Sequence, residues 1–343
     1  MENKVTYQAR QSGKIMLNAN ESGENLTAQM MDRVVEAIRN TAFNRYPENS
    51  QVKLREAYAS VIGVNADQII AGNGSDQLLG YLIGKLAGVD GTVYTFDPDF
   101  SMYDYYASSY GSQIIKYPCD EDGSLDLDSF IRYGNDQNAD LVIFSNPNNP
   151  SGHCLSIEEV EKVIRGFDGT PVIVDEAYIE FADEASAISL LDQYPQLYVT
   201  RTLSKAYGLA GMRVGFAIGQ KQNMDALREG YVPYALSTPA MEIACAILSD
   251  PGAVQNRICE IKAQRQKMLE IMKQMKCLTV YDSQANFIYG RTEERDRLCA
   301  ILDEEGIVIR LYGDGSTFRI TVSTQQENSL LLQALQRFEG EGQ

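Results

Sequence analysis

The sequence contains one histidine, His153, no tryptophan and no pair of cysteines in C-x-x-C spacing. Its six cysteines (Cys119, Cys154, Cys245, Cys259, Cys277 and Cys299) are scattered. Neither a zinc cluster nor a His-dependent catalytic triad assembles from that inventory. Positive charge is also scarce: 30 Lys and Arg stand against 47 Asp and Glu, for a formal net charge of −17. Nucleic acids and anionic membranes need clustered basic side chains, so both are excluded as partners, and any phosphate site must be local. No apolar run approaches a membrane span, and the N-terminal M-E-N-K-V-T-Y-Q-A-R lacks the apolar core of a signal peptide. The expectation is a cytoplasmic protein with free thiols. A length of 343 residues, 44% of them hydrophobic and 22% charged, allows one large and one small globular domain.

The chemistry is concentrated in one stretch. Two short apolar runs, residues 197–199 and 214–218, flank a loop that carries Lys205, several hydroxyls, two arginines and glycines. Strands buried on both faces read as continuous apolar runs, and polar clusters at their ends are where α/β proteins bind ligands. A lysine in a tight, glycine-flanked turn loses solvation, which lowers its pKa and lets it attack a carbonyl. Thr202, Ser204 and Arg213 offer hydrogen bonds and fixed charge to a phosphate. An aldehyde and a phosphate on one ligand suggest pyridoxal phosphate.

Upstream of that loop, residues 68–71, 92–96, 114–117, 139–144 and 172–174 read as strands alternating with helices. After the first comes Gly72-Asn73-Gly74-Ser75-Asp76, a turn that aims backbone N–H groups and a helix dipole at an anion, and that also reads as a plain helix N-cap. The strand 139–144 runs into Ser145-Asn146-Pro147-Asn148-Asn149-Pro150-Ser151-Gly152, rich in turn formers, and Ser156 with Glu159 forms a capping box for the next helix. Asp175 ends an apolar strand. A carboxylate there is costly without a cationic partner, which a protonated pyridine nitrogen supplies; the plainer reading is a capping or loop aspartate.

At the N-terminal end, residues 1–25 read as a polar arm, Thr27 caps a helix with Met30, Met31, Val34, Val35 and Ile38 on its apolar face, and Ser50 opens a helix that stops at Gly63. Beyond residue 219, helices are expected at 224–228, 241–248, 254–275, 297–305 and 327–338, with strands at 278–281, 287–289, 307–311 and 318–322. The expected fold is α/β: a large cofactor-binding domain, residues 41–235, with a mostly parallel sheet flanked by helices, and a small α+β domain built from both termini, residues 1–40 and 236–343.

The pattern S/T-x-S-K-x-x-G-x-x-G-x-R-x-G over residues 202–215 resembles the cofactor-lysine segment of fold-type I pyridoxal-phosphate enzymes, the aspartate aminotransferase superfamily. Within it, R-T-L-S-K-A-Y-G-L-A-G-M-R-V-G is most similar to the histidinol-phosphate aminotransferase group. G-N-G-S-D and N-P-N-N-P-S-G stand in that group's order, so the resemblance covers nearly the whole chain. It implies that Lys205 bonds to the cofactor aldehyde and carries the proton, that Asp175 pairs with the pyridine nitrogen, and that Asn149 and Tyr178 hydrogen-bond the ring oxygen. Phe100 would stack on the ring, and Ser75, Asp76, Thr202, Ser204 and Arg213 would bind its phosphate. Tyr46, in R-Y-P, would reach the partner subunit's site in a homodimer. Arg319 would hold a substrate carboxylate, Arg310 a substrate phosphate, and Asn20 would belong to the substrate pocket. The implied reaction is ping-pong transfer of an amino group between an amine, histidinol phosphate, and a 2-oxo acid, 2-oxoglutarate.

The chain departs from the group at Asp99, where P-T-F/Y is usual, at Ser151 for Thr, at Asn20-Glu21-Ser22-Gly23, where an aromatic and a proline are usual, and in the short segment 312–317. The last two fall where the family closes over the distal end of the substrate. They leave open an aromatic amino-acid aminotransferase and, further off, a phosphothreonine-type decarboxylase. A non-catalytic binding protein of the same fold would be expected to lose site residues or add a domain, and a nicotinamide dehydrogenase would need the third glycine that G-N-G-S-D lacks.

Overall fold

The computed structural model describes residues 13–340; the first part of the predicted arm, residues 1–12, lies outside them. In chain order the first half comprises β1 (Ile15–Leu17), α1 (Ala28–Arg39), α2 (Val52–Ile62), β2 (Ile69–Asn73), α3 (Gly74–Leu86), β3 (Thr92–Asp97), α4 (Met102–Tyr110), β4 (Gln113–Pro118), α5 (Leu127–Asp136), β5 (Leu141–Ser145), α6 (Ile157–Gly166) and β6 (Val172–Asp175). There follow β7 (Leu197–Thr202), β8 (Val214–Gly219), α7 (Lys221–Glu229), α8 (Thr238–Leu248), α9 (Pro251–Met272), β9 (Thr279–Val280), β10 (Phe287–Arg291), α10 (Arg295–Glu304), β11 (Ile307–Leu311), β12 (Thr317–Thr321) and α11 (Gln325–Gly340).

Seven strands form one sheet in the order β2-β8-β7-β6-β5-β3-β4. The pairs from β7 through β4 are parallel, and β8 lies antiparallel between β7 and β2. The predicted fold class, α/β with a mostly parallel sheet between helices, is the one observed. Every residue of β5, β6, β7 and β8 is buried, which is why these strands read as unbroken apolar runs. The parallel strands share one direction, so the ends of β5, β6 and β7 bring Ser145, Asp175 and Thr202 out on the same edge.

The second sheet has the order β1-β11-β12-β10-β9. It is antiparallel except for β1, which runs parallel to β11 with Ile15 opposite Ile307. Sequence reading took β1 as part of a polar arm: three residues are too few to show a period, and the strand exists only through a partner some 290 positions away. The reading also passed over α5, although Asp126 caps it by accepting from Asp128 N and Ser129 N and Leu127 and Phe130 are buried.

Local signals elsewhere hold. Thr27 accepts from Met30 N, and Ser156 and Glu159 form the capping box. At α2 the cap is Gln51 with φ of 53°, not Ser50, whose hydroxyl is turned to Glu48; Gly63, at φ 74°, ends the helix as expected.

Three packed cores accompany the two sheets, one on each face of the large sheet and one on the small sheet; the larger core of the large sheet and that of the small sheet share α9. Met30 of α1, Met241, Ala244 and Leu248 of α8 and Val254 and Ile258 of α9 lie in the larger core with Tyr58 and Phe216. Met268, Leu269 and Met272, further along α9, lie in that of the small sheet with Leu17, Ile320 and Phe338. α1 and α8, which lie outside residues 41–235 in sequence, thus help to fill the larger core. Helix amphipathicity shows that a face is buried, not which core buries it.

Candidate active site

A cavity of about 230 Å³ opens where the ends of β5, β6 and β7 meet the start of α3, the loop after β3 and the edge of β12. Of the residues singled out in the sequence, Ser75, Asp76, Phe100, Asn149, Asp175, Tyr178, Thr202, Ser204, Lys205, Arg213 and Arg319 all line it. A larger cleft, of about 830 Å³, is lined by Glu180 and Arg201 but by none of these residues. Side chains alternate along β7: Thr200 and Thr202 bond toward the first cavity, while Arg201 turns away to pair with Glu176 at 2.8 Å. The size of the second cleft therefore carries no claim on the chemistry.

Lys205 projects into the cavity from the loop after β7, and its Nζ donates to the carbonyl of Ala19 at 2.9 Å. Burial, with the nearby charge of Arg319 acting the same way, lowers its pKa to about 8. Asp175 is 3% exposed. Its Oδ1 accepts from Thr200 Oγ1 at 2.8 Å and its Oδ2 from the Tyr103 hydroxyl at 3.0 Å. Burial pushes its carboxyl up to about 6 despite those two donors. An anion held in this way calls for a cation beside it.

One end of the cavity is built for an anion. Thr202 Oγ1 donates to Ser204 Oγ at 2.9 Å, and Arg213 Nη1 donates to the same oxygen at 3.2 Å. Arg213 Nη2 donates to Asp76 Oδ2 at 2.7 Å. The backbone crowds in here: a Cβ on Gly215 would stand 2.2 Å from Ser75 N, and one on Gly74, at φ 79°, would stand 2.3 Å from Arg213 Nη2. Glycine is what lets β8 and the start of α3 close together and bring these donors to one place.

At the other end, Arg319 Nη1 donates to Asn149 Oδ1 and Nη2 donates to the carbonyl of Asn18 at 2.9 Å. Its Nε is buried and has no acceptor. A buried guanidinium with an unused donor has the charge and geometry to receive a planar anion such as a carboxylate. Asn20 is buried behind the cavity and does not line it; its Nδ2 donates to the Tyr178 hydroxyl at 3.0 Å.

Two predicted residues lie apart. Tyr46 is 83% exposed and stacks on Tyr234, with ring centroids 5.1 Å apart. Arg310 is in register with Arg319 across β11 and β12, and its guanidinium carbon stands 5.8 Å from the centre of the Tyr312 ring, outside the cavity lining. Sequence reasoning missed Ser145, Tyr103, Thr200 and Ala19. Ser145 and Thr200 had a signal, since each is a hydroxyl near the end of a buried strand that neighbours Asp175; Ala19 offers only a carbonyl, which no sequence pattern announces.

The residues fit pyridoxal phosphate: an anion seat of hydroxyls and Arg213, a buried carboxylate for the ring nitrogen, and an amine of lowered pKa converge on one cavity. The class is that of an aminotransferase of the pyridoxal-phosphate kind. The family model "aminotransferase class I and II" matches residues 12–335, and the chain belongs to that family. It is therefore a pyridoxal-phosphate-dependent transaminase. The chain is 33% identical over 327 residues to a histidinol-phosphate aminotransferase of Clostridium kluyveri, covering 94% of this chain and 93% of that protein. It is 31% identical over 343 residues to one of Chlorobaculum tepidum, covering 98% of each. The crystal structure of a histidinol-phosphate aminotransferase from Sinorhizobium meliloti in complex with pyridoxal-5′-phosphate superposes with a TM-score of 0.87 at 26% identity, over 96% of this chain and 92% of that one.

Proposed function

We propose that this transaminase moves an amino group between histidinol phosphate and 2-oxoglutarate, with Lys205 as the residue that carries the proton. The observation that supports it most directly is the single cavity shared by Lys205, Asp175, Arg213 and Arg319, in a chain whose curated relatives bear that name over nearly their full length.

Pyridoxal phosphate, when bound, supplies the aldehyde that captures the amine and the ring that accepts electrons from it. The protein's part follows from its own groups. Ser75, Thr202, Ser204 and Arg213, with Asp76 orienting the arginine, hold the phosphate. Asp175 keeps positive charge on the ring nitrogen, and Thr200 and Tyr103 fix that carboxylate. Phe100 would pack against the ring, while Asn149 and Tyr178, the latter oriented by Asn20, would hydrogen-bond the ring oxygen. Lys205 would bond to that aldehyde at rest and, with its amine free, would be the base that takes the proton from the substrate Cα and returns it to the cofactor. The guanidinium of Arg319 receives the carboxylate of 2-oxoglutarate in the return half-reaction. Arg310, beside it on the next strand, is assigned the phosphate of the amine substrate.

The active unit in this reading is a homodimer, with Tyr46 completing the partner's phosphate site. Tyr46 (83% exposed) and Tyr234 (49%) form an exposed stacked aromatic pair, and exposed aromatic patches mark interfaces. Sedimentation of the wild-type protein and of Tyr46→Ala, with pyridoxal phosphate affinity measured for both, tests this: a monomeric wild type removes it. We assign the reaction to the cytoplasm. No helix among the described residues is long and apolar enough to cross a membrane, and all six cysteines are free, which suits a reducing compartment.

A single-turnover scan of the holoenzyme tests the substrate assignment by following the visible band of the bound cofactor with histidinol phosphate, phenylalanine, tyrosine, phosphothreonine and glutamate in turn. Rapid conversion by histidinol phosphate, and by glutamate for the reverse half, is expected. Conversion by aromatic amino acids and glutamate alone would keep the mechanism and discard the substrate.

A further inference from the structure

Asp99 stands in the loop between β3 and α4, directly before Phe100, where the resembling group carries threonine. It is 9% exposed. It does not line the cavity, and no role above uses it. Its carboxylate nevertheless takes four hydrogen bonds. Oδ1 accepts from Phe100 N at 2.7 Å and from Ser145 Oγ; Oδ2 accepts from Ser145 N at 3.1 Å and from Thr95 Oγ1 at 3.4 Å.

Those donors belong to separate parts of the site. Phe100 is on the β3–α4 loop, whereas Ser145 ends β5, in register with Asp175 on β6. With its proton committed to Asp99, the Ser145 oxygen is left to accept, and it does so from Asn149 N at 2.9 Å. Asn149 in turn accepts from Arg319. A line of hydrogen bonds thus runs from Asp99 through Ser145 and Asn149 to Arg319, with a branch to Phe100. A threonine hydroxyl has two lone pairs and could serve only part of this set.

We propose that Asp99 is a positioning residue for the transamination: it locks the loop bearing Phe100 to the strand end bearing Ser145 and Asn149, and so sets both the seat of the cofactor ring and the reach of Arg319. The inference rests on the ring and carboxylate roles assigned above to Phe100 and Arg319. Burial pushes the Asp99 carboxyl up to about 7, against the pull of its hydrogen bonds, so the anion that accepts all four bonds is costly and prevails only above that pH. A costly anion surrounded by donors from three elements is what a clamp requires.

Asp99→Asn tests it sharply. Either orientation of the amide turns its NH₂ toward a backbone N–H, that of Phe100 on one side or that of Ser145 on the other, and neither can rotate to accept. We expect the dissociation constant for pyridoxal phosphate, from titration of the apoenzyme, and the KM for 2-oxoglutarate each to rise by about tenfold, with kcat changed by no more than about threefold. Values of both constants within about twofold of wild type would overturn the proposal.

Should Asp99→Asn fail to fold, Asp99→Thr and Asp99→Val, matched in size, replace it. The threonine variant, which keeps an acceptor, must bind the cofactor about tenfold more tightly than the valine variant, and equal affinities overturn the proposal. Phe100→Ala and Arg319→Ala measured alongside separate the two failures. If they leave the cofactor dissociation constant and the KM unmoved, the underlying roles are wrong. If they move these constants and Asp99→Asn does not, only the clamp is wrong.

Discussion

Replacing Lys205 with methionine is expected to abolish multiple turnover and, in the same protein, to raise the thermal stability of the apoenzyme at neutral pH. The first effect follows from chemistry. Methionine follows the unbranched lysine chain up to Cε but can neither bond to the aldehyde nor carry a proton, and loss of a positioned general base alone costs roughly 10²–10⁴ in rate. The second follows from the sign of the pKa shift. Burial, aided by Arg319, lowers Lys205 from its ordinary 10.5 to about 8. Between about 8 and 10.5 the unfolded chain holds a proton that the folded chain does not, so wild-type stability rises with pH across that window. Below about 8 the folded protein bears a charged amine in surroundings that disfavour it, and the penalty is complete. Methionine removes the penalty and gives up one hydrogen bond, to the Ala19 carbonyl. Thermal melts of both apoproteins from pH 6.5 to 10.5 should show the variant ahead at low pH and the gap closing toward the top of the range. Retained turnover sinks the assignment of Lys205. Equal melting points at pH 7 sink only the claim that its amine is desolvated.

The legibility of this site from sequence has a physical limit that its residues illustrate. Lys205, Asp175 and Asn149 could be picked out because each is polar at the end of a run too apolar to be anything but a buried strand, and parallel strands must share one edge. Arg213 and Ser75 were visible because glycines accompany them, and Gly74 and Gly215 are there to let the donors approach. What could not be read is anything fixed by pairing across the fold. The β1 strand exists because Ile15 to Leu17 meet Ile307 to Ile309. The carbonyl of Ala19 reaches Lys205 for the same reason, since the chain after β1 is carried over the cavity. Asp99 looked like a small departure in a motif; only the approach of β3 to β5 shows its carboxylate to be bonded to Ser145. The same limit holds for the flanking helices: α1, α8 and α9 have apolar faces in sequence, but which core receives them is decided by tertiary packing.

Asp175→Asn should bring the other large loss, and for a reason separable from folding. The two side-chain donors to Asp175, the hydroxyls of Thr200 and Tyr103, can each rotate to accept, so an amide fits where the carboxylate was. This differs from Asp99, two of whose partners are backbone N–H groups with no such freedom. What the amide cannot do is balance a positive charge on the ring nitrogen. Leaving one member of a buried ion pair unmatched costs about 3–5 kcal/mol, or roughly 10²–10⁴ in the rate of proton removal from the substrate Cα. Cofactor binding should suffer less, because Ser75, Thr202, Ser204 and Arg213 are untouched. The apoprotein should respond in the opposite sense. Burial raises Asp175 from its ordinary 3.8 to about 6, so the folded wild type holds a proton that the unfolded chain has released between those values, and its stability falls as pH rises through them. Above about pH 6 the variant apoprotein should therefore be the more stable, with the difference vanishing as pH falls below 3.8. A single-turnover rate near wild type would show that the ring nitrogen has no need of this carboxylate. A slow rate coupled with a less stable apoprotein at pH 8 would instead mean that Asp175 holds the strand ends together and that its effect on the chemistry is indirect.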